Sequence, residues 1–430
     1  MIKFNGYRRA ARPHHAPRRP NRQPDSTLVN PLLLSHFTAT SCIGRGLDAT
    51  VAALRGARGG LTRCNFERAD LDTWIGAVDG VDAQPVRADL SDFECRNNRL
   101  AQLGLTQDRF AERVAAAVSR YGAERVGVFV GTSTAGILET EHAYRRRDPQ
   151  SGALPAGFHY AQTHNPYSPA AFVRAYFALR GPALAVSSAC SSGAKVFGSA
   201  RRMLEAGLID AAVVGGVDSL CLTTLYGFNS LELLSRRPCR PFDVARDGIS
   251  IGEAAAFALV ERVPASDALD DSAVLLLGIG ESSDAHHMSS PHPDGRGARA
   301  AIEQALASAG LGAADIDYIN LHGTATPSND AAEGRAIGAL FPQTPCSSTK
   351  GATGHTLGAA GALEAVVAAV ALRGQFVPAG VNTTHPDPAL ATDYVLASRD
   401  ARVRAVLSNA FGFGGTNCSL ILGRAGYARR

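Results

Sequence analysis

The sequence predicts an α/β fold built from two similar halves. Short apolar runs typical of strands alternate with alanine-rich stretches typical of helices along the 430 residues. The alternation restarts after a polar, proline-containing stretch at residues 261–271. When Cys190 is placed over His355, Gly193 falls over Gly358, which is a weak internal repeat. We therefore expect two related units, each presenting a reactive side chain where a small-residue helix begins.

Each half contains several predicted strands and a prominent helix. In the first half the strands are predicted at RVGVFVG, ALAV, DAAVVGGVDSL and AAAFALVE, and the helix at SSGAKVFGSARRMLEAG. In the second half the strands are predicted at AVLLLGIGES, DYINLHG and RAVLSNAFGFGG. Its helices are predicted at GARAAIEQALASAG and HTLGAAGALEAVVAAVALRG. This order predicts mixed or parallel sheets that are covered by helices.

Charge separates a basic head from a nearly neutral body. Residues 1–24 contain seven Lys and Arg residues and no acid, so the rest of the chain has 36 basic and 39 acidic residues. We expect a disordered tail at residues 1–27, halves at 28–262 and 272–424, and a short tail at 425–430. The body has no basic excess, which argues against nucleic acid as a partner. The head lacks the apolar core of a secretory signal, although a transit peptide or an arm for anionic surfaces remains an alternative.

The cysteines predict a reducing, cytoplasmic environment. They are scattered without a CxxC pair or the spacing of a metal site, at positions 42, 64, 95, 190, 221, 239, 346 and 418. We expect free thiols and no metal. No apolar run approaches 18 residues, so no membrane span is expected.

Cys190 lies in VSSACSSGAKVFG, where nearly every neighbour is Ser, Ala or Gly. The predicted strand before it and helix after it place the thiol at a strand-to-helix turn, where backbone N–H groups and the helix dipole stabilise a thiolate. Considered alone, Cys190 fits a buried apolar residue as well as a nucleophile.

Three further stretches contain candidate reactive groups. His322 ends a strand and enters the loop HGTATPSND. Lys350 is one of three lysines against forty arginines, which indicates a position that requires a compact ammonium group. His355 begins a helix, whose dipole favours a neutral imidazole, and Glu364 on that helix is a candidate partner of Lys350.

The fourth stretch, NAFGFGGTN, is rich in glycine around Phe413. Its exposed backbone N–H groups could complete an oxyanion hole, and its flexibility could let it gate a pocket. Considered alone, the stretch fits an ordinary glycine-rich turn equally well.

Together, SSACSSGA, HGTATPSND, STKGATGH and FGFGGTN, in this order, resemble the β-ketoacyl-acyl-carrier-protein synthases of the elongating type. RPFDVARDGISIGEAAAFALVE and SSDAHHMSSPHPDG resemble phrases of the same family, and the resemblance extends over roughly residues 32–423. It implies a thiolase-like αβαβα fold of two similar halves. It also implies an acyltransferase that needs no cofactor, because its substrates are held on the phosphopantetheine of an acyl carrier protein.

The resemblance assigns a role to each motif. Cys190 would hold the acyl chain as a thioester, and the backbone N–H groups of Cys190 and Phe413 would form its oxyanion hole. His322 and His355 would stabilise the enolate formed when malonyl carrier protein loses CO₂. Lys350 would give electrostatic support near His355, with Phe413 also acting as gate. Supporting residues would be Glu364, Thr324, Thr326 and Asp330.

The resemblance also implies partners. An acidic acyl carrier protein would dock on basic residues near the pocket, for which Arg236, Arg237 and Arg240 are candidates. Members of the family form dimers, so we expect a homodimer or a heterodimer with a chain-length-factor-like subunit. The sequence leaves the acyl chain length and this choice of dimer open.

Some features depart from the usual family pattern. Only four residues separate LELLS from RPFD, Asp218 stands where many relatives have Glu, and the first strand reads PLLLSHFTATSCIG. These departures favour a specialised pathway, with phrasing most similar to ketosynthases of bacterial aryl-polyene clusters. Two alternative functions remain: a non-catalytic partner subunit of the chain-length-factor type, and an acyltransferase or hydrolase that performs no condensation.

Overall fold

The computed structural model describes residues 30–264 and 269–428. The predicted basic tail at residues 1–27 lies outside these ranges. The strands are β1 (Leu32–Ser41), β2 (Gly44–Arg45), β3 (Thr62–Arg63), β4 (Trp74–Gly76), β5 (Val126–Gly131), β6 (Ala183–Val186), β7 (Ala211–Asp218), β8 (Ile251–Gly252), β9 (Ala254–Arg262), β10 (Val274–Ser283), β11 (Tyr318–Asn320), β12 (Pro345–Ser347), β13 (Phe376–Val377), β14 (Asp393–Tyr394), β15 (Arg399–Asp400), β16 (Ala405–Gly412) and β17 (Thr416–Arg424).

Helices connect these strands throughout both halves. They are α1 (Gly46–Arg55), α2 (Arg96–Leu105), α3 (Phe110–Tyr121), α4 (Ile137–Arg145), α5 (Ser168–Tyr176), α6 (Ser192–Glu205), α7 (Leu222–Ser230), α8 (Arg296–Ala309), α9 (Pro327–Leu340), α10 (Lys350–Thr353), α11 (Ala360–Gly374) and α12 (Ala425–Ala428). Each strand and helix predicted from the sequence has a counterpart in the structure.

The two halves have the same strand topology. Counted outward from the junction of the two halves, the strand order in the first half is β1-β9-β7-β5-β6. In the second half it is β10-β17-β16-β11-β12, followed by the short β14. In both, the first two pairings are antiparallel and the next two are parallel. The halves meet where β1 pairs with β10. The structure therefore confirms the prediction of two similar halves.

The helices and sheets form five layers. Helices α6 and α11 lie in the middle and pack against each other and against strands of the sheets on both sides. Helices α2, α3 and α5 cover the outer face of the first half, and α8 and α9 cover that of the second. Both faces of each sheet are covered, which explains the fully buried run of β7, AAVVGGVD. This arrangement is the predicted αβαβα architecture.

Helix α11 is nearly all apolar because it lies at the centre of these layers. By length and composition the stretch Leu357–Gly374 could cross a membrane, with a mean hydropathy of 1.5, but 89% of it is buried inside the protein. It is the one such stretch in the described residues. Glu364 and Arg373 interrupt this stretch, and its burial among the layers of the protein accounts for its apolar composition.

Two helix boundaries differ from the sequence expectation. His355 was expected to begin the central helix, yet α11 begins at Ala360 after a short 3₁₀ turn, Leu357–Ala359. Left-handed backbone at Gly354 and Leu357 interrupts the helix before that point. Residues 425–428 were expected to be part of a tail, but they form α12. This helix is held beside the start of β10, because Ala425 N–H donates to the carbonyl of Ala273.

The crossing of α6 and α11 leaves no space for a side chain at Gly361. A Cβ atom there would lie 2.6 Å from the backbone nitrogen of Ala194. We expect Gly361→Ala to lower the free energy of unfolding by about 1–3 kcal/mol, the usual cost of overpacking a core, as measured by urea denaturation. Gly227→Ala on α7 is the matched control, because no atom lies within 4 Å of its added Cβ. Equal stability of the two variants would contradict this description of the crossing.

Candidate active site

Cys190 lies in a tight turn between β6 and α6, as the sequence predicts. Ala189 adopts the left-handed conformation with φ of 53°, which turns the chain sharply just before the cysteine. Serine hydroxyls hold the turn: Ser191 donates to the carbonyl of Ser188 and Ser192 donates to that of Ala189. The thiol is 6% exposed.

The small neighbours of Cys190 allow other backbone segments to approach. A Cβ atom on Gly193 would lie 2.7 Å from the carbonyl oxygen of Gly358. A Cβ atom on Gly412 would lie 3.0 Å from the carbonyl oxygen of Ser188 and 3.2 Å from the nitrogen of Cys190. Both approaching segments belong to the second half, so the small residues let the two halves close on the sulfur.

His355 is in direct contact with the nucleophile. Its Nε2 lies 3.0 Å from the Cys190 sulfur. The backbone of His355 is held on both sides, because its N–H donates to the carbonyl of Ser250 and its carbonyl accepts from Gly252 N–H. The structure thus brings together two residues that are 165 positions apart in the chain.

His322 completes a group of three reactive side chains. Its ring is nearly perpendicular to that of His355, with centroids 5.4 Å apart. Its loop is anchored by Glu333 on α9, whose carboxylate accepts hydrogen bonds from His322 N–H, Gly323 N–H and the side chain of Asn409. Glu333 was not identified from the sequence, because two of its three partners are main-chain N–H groups that no motif reveals.

Lys350 and Glu364 form a buried ion pair behind the histidines. The pair confirms the predicted contact between them. The ammonium group also donates to the carbonyl oxygen of His322 at 2.6 Å and lies 3.4 Å from its Nδ1. The charge of Lys350 also acts on His355, in agreement with the predicted electrostatic support, while its hydrogen-bond contacts are with His322 and Glu364.

Burial controls the ionisation of the site. It lowers the pKa of His322 and that of His355 well below the usual value, and the charge of Lys350 acts in the same direction. Both imidazoles are therefore neutral, as predicted for His355, although burial is the main cause and not the helix dipole.

The nucleophile itself rests as a thiol. Burial raises the pKa of Cys190 to about 11, against smaller opposing effects of Lys350 and of the Phe413 N–H group. Desolvation is the largest of these effects, and it opposes the thiolate that the strand-to-helix turn is predicted to stabilise. Removal of the proton requires a base, and His355 Nε2 is in contact with the sulfur.

The glycine-rich loop closes the site from one side. Phe413 begins a 3₁₀ turn, Phe413–Gly415, and its ring packs against Phe228 with centroids 5.6 Å apart. The cavity at Cys190 has a volume of about 60 Å³, room for a few water molecules and not for an acyl chain. The cavity is lined by Cys190, Phe228, Leu233, Ile249, Asp284, Ser289, Ser290, Pro291, His322, Thr324, Thr326, Ser328, Asn329, His355, Phe411, Gly412, Phe413, Gly415 and Asn417.

The predicted supporting residues divide into two groups. Thr324 and Thr326 line the cavity, and their hydroxyl groups are 2.9 Å apart. Asp330 is buried and does not line it; its carboxylate accepts hydrogen bonds from the N–H groups of Phe242 and Ala325. Asp330 therefore shapes the loop after His322.

The predicted docking arginines differ in availability. Arg236 and Arg237 are exposed, and they closely follow Leu233, which lines the cavity. The side chain of Arg240 is only 14% exposed and lies 3.9 Å from Asp247. Arg240 is therefore a poor docking residue, because the fold turns its side chain inward.

No metal-binding cluster accompanies these groups. Within residues 30–264 and 269–428, no three His, Cys, Asp or Glu side chains are grouped so that they could hold a metal ion. All eight cysteines in this part of the chain are free.

The fold and the Cys-His-His group define a condensing enzyme, and comparisons with known proteins agree. The family model for the N-terminal domain of β-ketoacyl synthases matches residues 41–266, and that for the C-terminal domain matches residues 273–384. The chain belongs to the β-ketoacyl synthase family, whose members have the thiolase fold and are acyltransferases.

Individual relatives support the same assignment. The "3-oxoacyl-[acyl-carrier-protein] synthase 2" of Vibrio cholerae is 33% identical over 409 residues, which is 89% of this chain and 96% of that protein. The protein of the same name from Rhizobium meliloti is 40% identical over 259 residues, 57% of this chain and 62% of the relative, so this alignment spans less than two thirds of its length.

Among solved structures, one neighbour is the ketosynthase ApeO of Xenorhabdus doucetiae in complex with its chain length factor, ApeC. It has a TM-score of 0.80 and 38% identity, and the match covers 92% of this chain and 98% of that chain. A β-ketoacyl synthase from Burkholderia phymatum has a TM-score of 0.81 and 29% identity, covering 93% of this chain and all of the other.

Alkylation of Cys190 by iodoacetamide tests the protonation state of the nucleophile. With the thiol pKa near 11, we expect the rate to rise about tenfold for each pH unit between pH 6 and 10, without a plateau, because only the thiolate reacts. Peptide mass spectrometry follows Cys190 and, as an internal reference, the partly exposed Cys64. A plateau of the Cys190 rate below pH 9 would show instead a stabilised thiolate.

Proposed function

We propose that this protein catalyses decarboxylative condensation of an acyl group, held on Cys190, with malonyl acyl carrier protein to give a β-ketoacyl carrier protein. The observation that carries the proposal is the contact between Cys190 sulfur and His355 Nε2 at 3.0 Å, with His322 perpendicular beside it. The family membership of the chain supports the same reaction. The acyl groups arrive on the phosphopantetheine of the carrier, so no further cofactor is needed.

The first step transfers the acyl group to Cys190. The thiol proton passes to His355 Nε2, the sulfur attacks the carrier thioester, and the C–S bond to phosphopantetheine breaks. The departing thiolate takes the proton from His355, which restores the neutral imidazole. The N–H groups of Cys190 and Phe413 hold the tetrahedral oxyanion.

The second step requires two neutral donors. Lys350 Nζ can only donate, so His322 Nδ1 facing it at 3.4 Å accepts. This contact assigns the proton of His322 to Nε2. After acylation Cys190 has no proton for Nε2 to accept, so His355 acts here in the tautomer with its proton on Nε2. His355 and His322 then donate to the malonyl thioester carbonyl as the C–C bond to the carboxylate breaks and CO₂ leaves. The resulting enolate carbon attacks the acyl thioester, and Cys190 departs as a thiolate that takes up a proton from solvent.

The position of Phe413 supports a gating role. In the closed state its ring against Phe228 confines the cavity to about 60 Å³. Opening admits the acyl chain and the phosphopantetheine arm, and closing excludes water from the enolate.

We also propose that the protein assembles with a second subunit at strand β6. This strand lies at one edge of the main sheet, and Leu184 at its centre is 39% exposed. An exposed edge of this kind is suited to pairing with a second sheet. The partner is a second copy of this chain or a chain-length-factor-like subunit; the neighbour ApeO, which was solved with its chain length factor, supports the heterodimer.

The short linker after LELLS and Asp218 support a specialised pathway, for which we propose the aryl-polyene type. We propose that the enzyme acts there in the cytoplasm. Two alternatives are less well supported. A non-catalytic partner subunit has no need for the Cys190–His355 contact, and a hydrolase or simple acyltransferase has no need for a second histidine held by Lys350.

Stepwise mass spectrometry tests the function. The protein is mixed with acyl carrier proteins, acylation of the Cys190 peptide is measured, malonyl carrier is added, and CO₂ and β-ketoacyl product are quantified. We expect acylation followed by CO₂ release, with neither product nor acylation in Cys190→Ala. His322→Ala should retain acylation and lose condensation by roughly 10²–10³-fold, the usual cost of one oxyanion donor.

His164→Ala is the matched control, since His164 bonds to Thr140 and does not line the cavity. Absence of acylation in the wild type would favour the non-catalytic subunit. Acylation without CO₂ release would favour the hydrolase or simple acyltransferase.

Charge reversal tests carrier docking. We expect Arg236→Glu and Arg237→Glu each to raise the KM for carrier-bound substrate by roughly tenfold at low salt, because they repel an acidic partner. The KM for small pantetheine thioesters should not change. Arg113→Glu on α3, exposed on the outer layer, is the control. Equal effects on both substrates would contradict docking at this surface.

A further inference from the structure

Asp218 is a buried carboxylate that the proposed mechanism does not use. It ends β7 and does not line the cavity. Its oxygens accept hydrogen bonds from the hydroxyl and N–H groups of the loop at residues 132–134: Thr132 Oγ1 at 2.6 Å, Ser133 N at 2.9 Å, and Thr134 N and Oγ1 both at 2.8 Å. They also accept from Gly358 N at 2.5 Å.

These donors come from both sides of the active site. Ser133 Oγ donates to the carbonyl of Ala189, the residue before the nucleophile. Gly358 follows His355 by three residues, in the 3₁₀ turn that precedes α11. Asp218 therefore connects the turn of Cys190 in the first half with the turn of His355 in the second.

The connection has little freedom to shift. A Cβ atom on Gly358 would lie 2.7 Å from Asp218 Oδ2 and 2.7 Å from Ser133 N. Backbone N–H groups can only donate, so an ionised carboxylate can accept from the loop at residues 132–134 and from Gly358 at once, whereas an amide would place its NH₂ group against one of them. Burial raises the pKa of Asp218, and its hydrogen-bond donors oppose that rise.

We propose that Asp218 is a positioning residue for acyl transfer: its carboxylate fixes the distance between the Cys190 sulfur and His355 Nε2 by holding the turn after His355 directly and the turn of Cys190 through Ser133. The proposal rests on the proposed function, because acyl transfer is the step that needs this distance. Asp218 also places a negative charge near the thiol, which opposes formation of the thiolate.

Two variants separate geometry from charge. Asp218→Asn removes the charge and breaks one side of the connection, and Gly358→Ala retains the charge but pushes the His355 turn away. We expect both to slow single-turnover acylation of Cys190 by about 10- to 100-fold, as a displacement near 1 Å between reacting groups does. In the double variant the loss should stay close to that of the more impaired single variant, because both changes break one connection.

Alkylation of Cys190 distinguishes the two effects and needs no acyl substrate. In Asp218→Asn the pH profile should move to lower pH, because a nearby negative charge is lost. In Gly358→Ala it should not move lower. Labelling of the buried Cys418 reports unfolding, and Asp317→Asn is the matched control, since Asp317 also accepts backbone hydrogen bonds but lies at the far end of β11.

Each outcome bears on one proposal. Failure of the wild type to take an acyl group would overturn the proposed function, while the alkylation profile would still report on Asp218. The Asp218→Asn protein must be folded, as judged by Cys418. The role of Asp218 is then overturned if this variant is acylated at the rate of the Asp317→Asn control. Where the wild type is not acylated, the role is overturned if the variant has the same alkylation profile as that control.

Discussion

The close crossing of α6 and α11 is the constraint on which the site depends. A Cβ atom on Gly193 would lie 2.7 Å from the carbonyl oxygen of Gly358, and one on Gly361 would lie 2.6 Å from the nitrogen of Ala194. The backbones of the two helices therefore meet without side chains between them. Because Cys190 precedes α6 and His355 precedes α11, this contact brings sulfur and imidazole from separate halves to 3.0 Å. The repeated topology of the halves is what places a reactive residue at the start of each helix.

Burial then sets the protonation states of Cys190, His322 and His355. An exposed thiol and histidine would be partly ionised near neutral pH, whereas here the thiol retains its proton and both imidazoles are neutral. Each neutral imidazole has one N–H group, which can donate a hydrogen bond to an oxyanion. The buried Lys350 would be costly alone, and its ion pair with Glu364 offsets that cost. The contact of Lys350 with His322 Nδ1 also assigns the proton of that ring to Nε2. The Lys350–Glu364 pair therefore stabilises the buried ammonium charge and, through it, the tautomer of His322.

Two buried carboxylates hold the loops that carry the reactive residues. Glu333 binds the backbone of the His322 loop. Asp218 binds the turn after His355 and the loop at residues 132–134, whose Ser133 contacts the turn of Cys190. Sequence reasoning noticed Asp218 only as a departure from the family pattern and did not notice Glu333. Their donors are mainly main-chain N–H groups, which every residue except proline possesses. Residue types and spacing therefore give no signal for such contacts, even when they matter to the geometry of the site.

The sequence by itself determined the α/β class, the two similar halves and the candidate reactive residues Cys190, His322, Lys350 and His355. These features depend on residue type, periodicity and local spacing, which the chain displays directly. Only the tertiary structure decided the protonation of Cys190, the contact of Lys350 with His322, and the inward turn of Arg240 toward Asp247. Each of these depends on burial or on the final direction of a side chain. Such properties arise when distant segments pack together, and local sequence does not encode them.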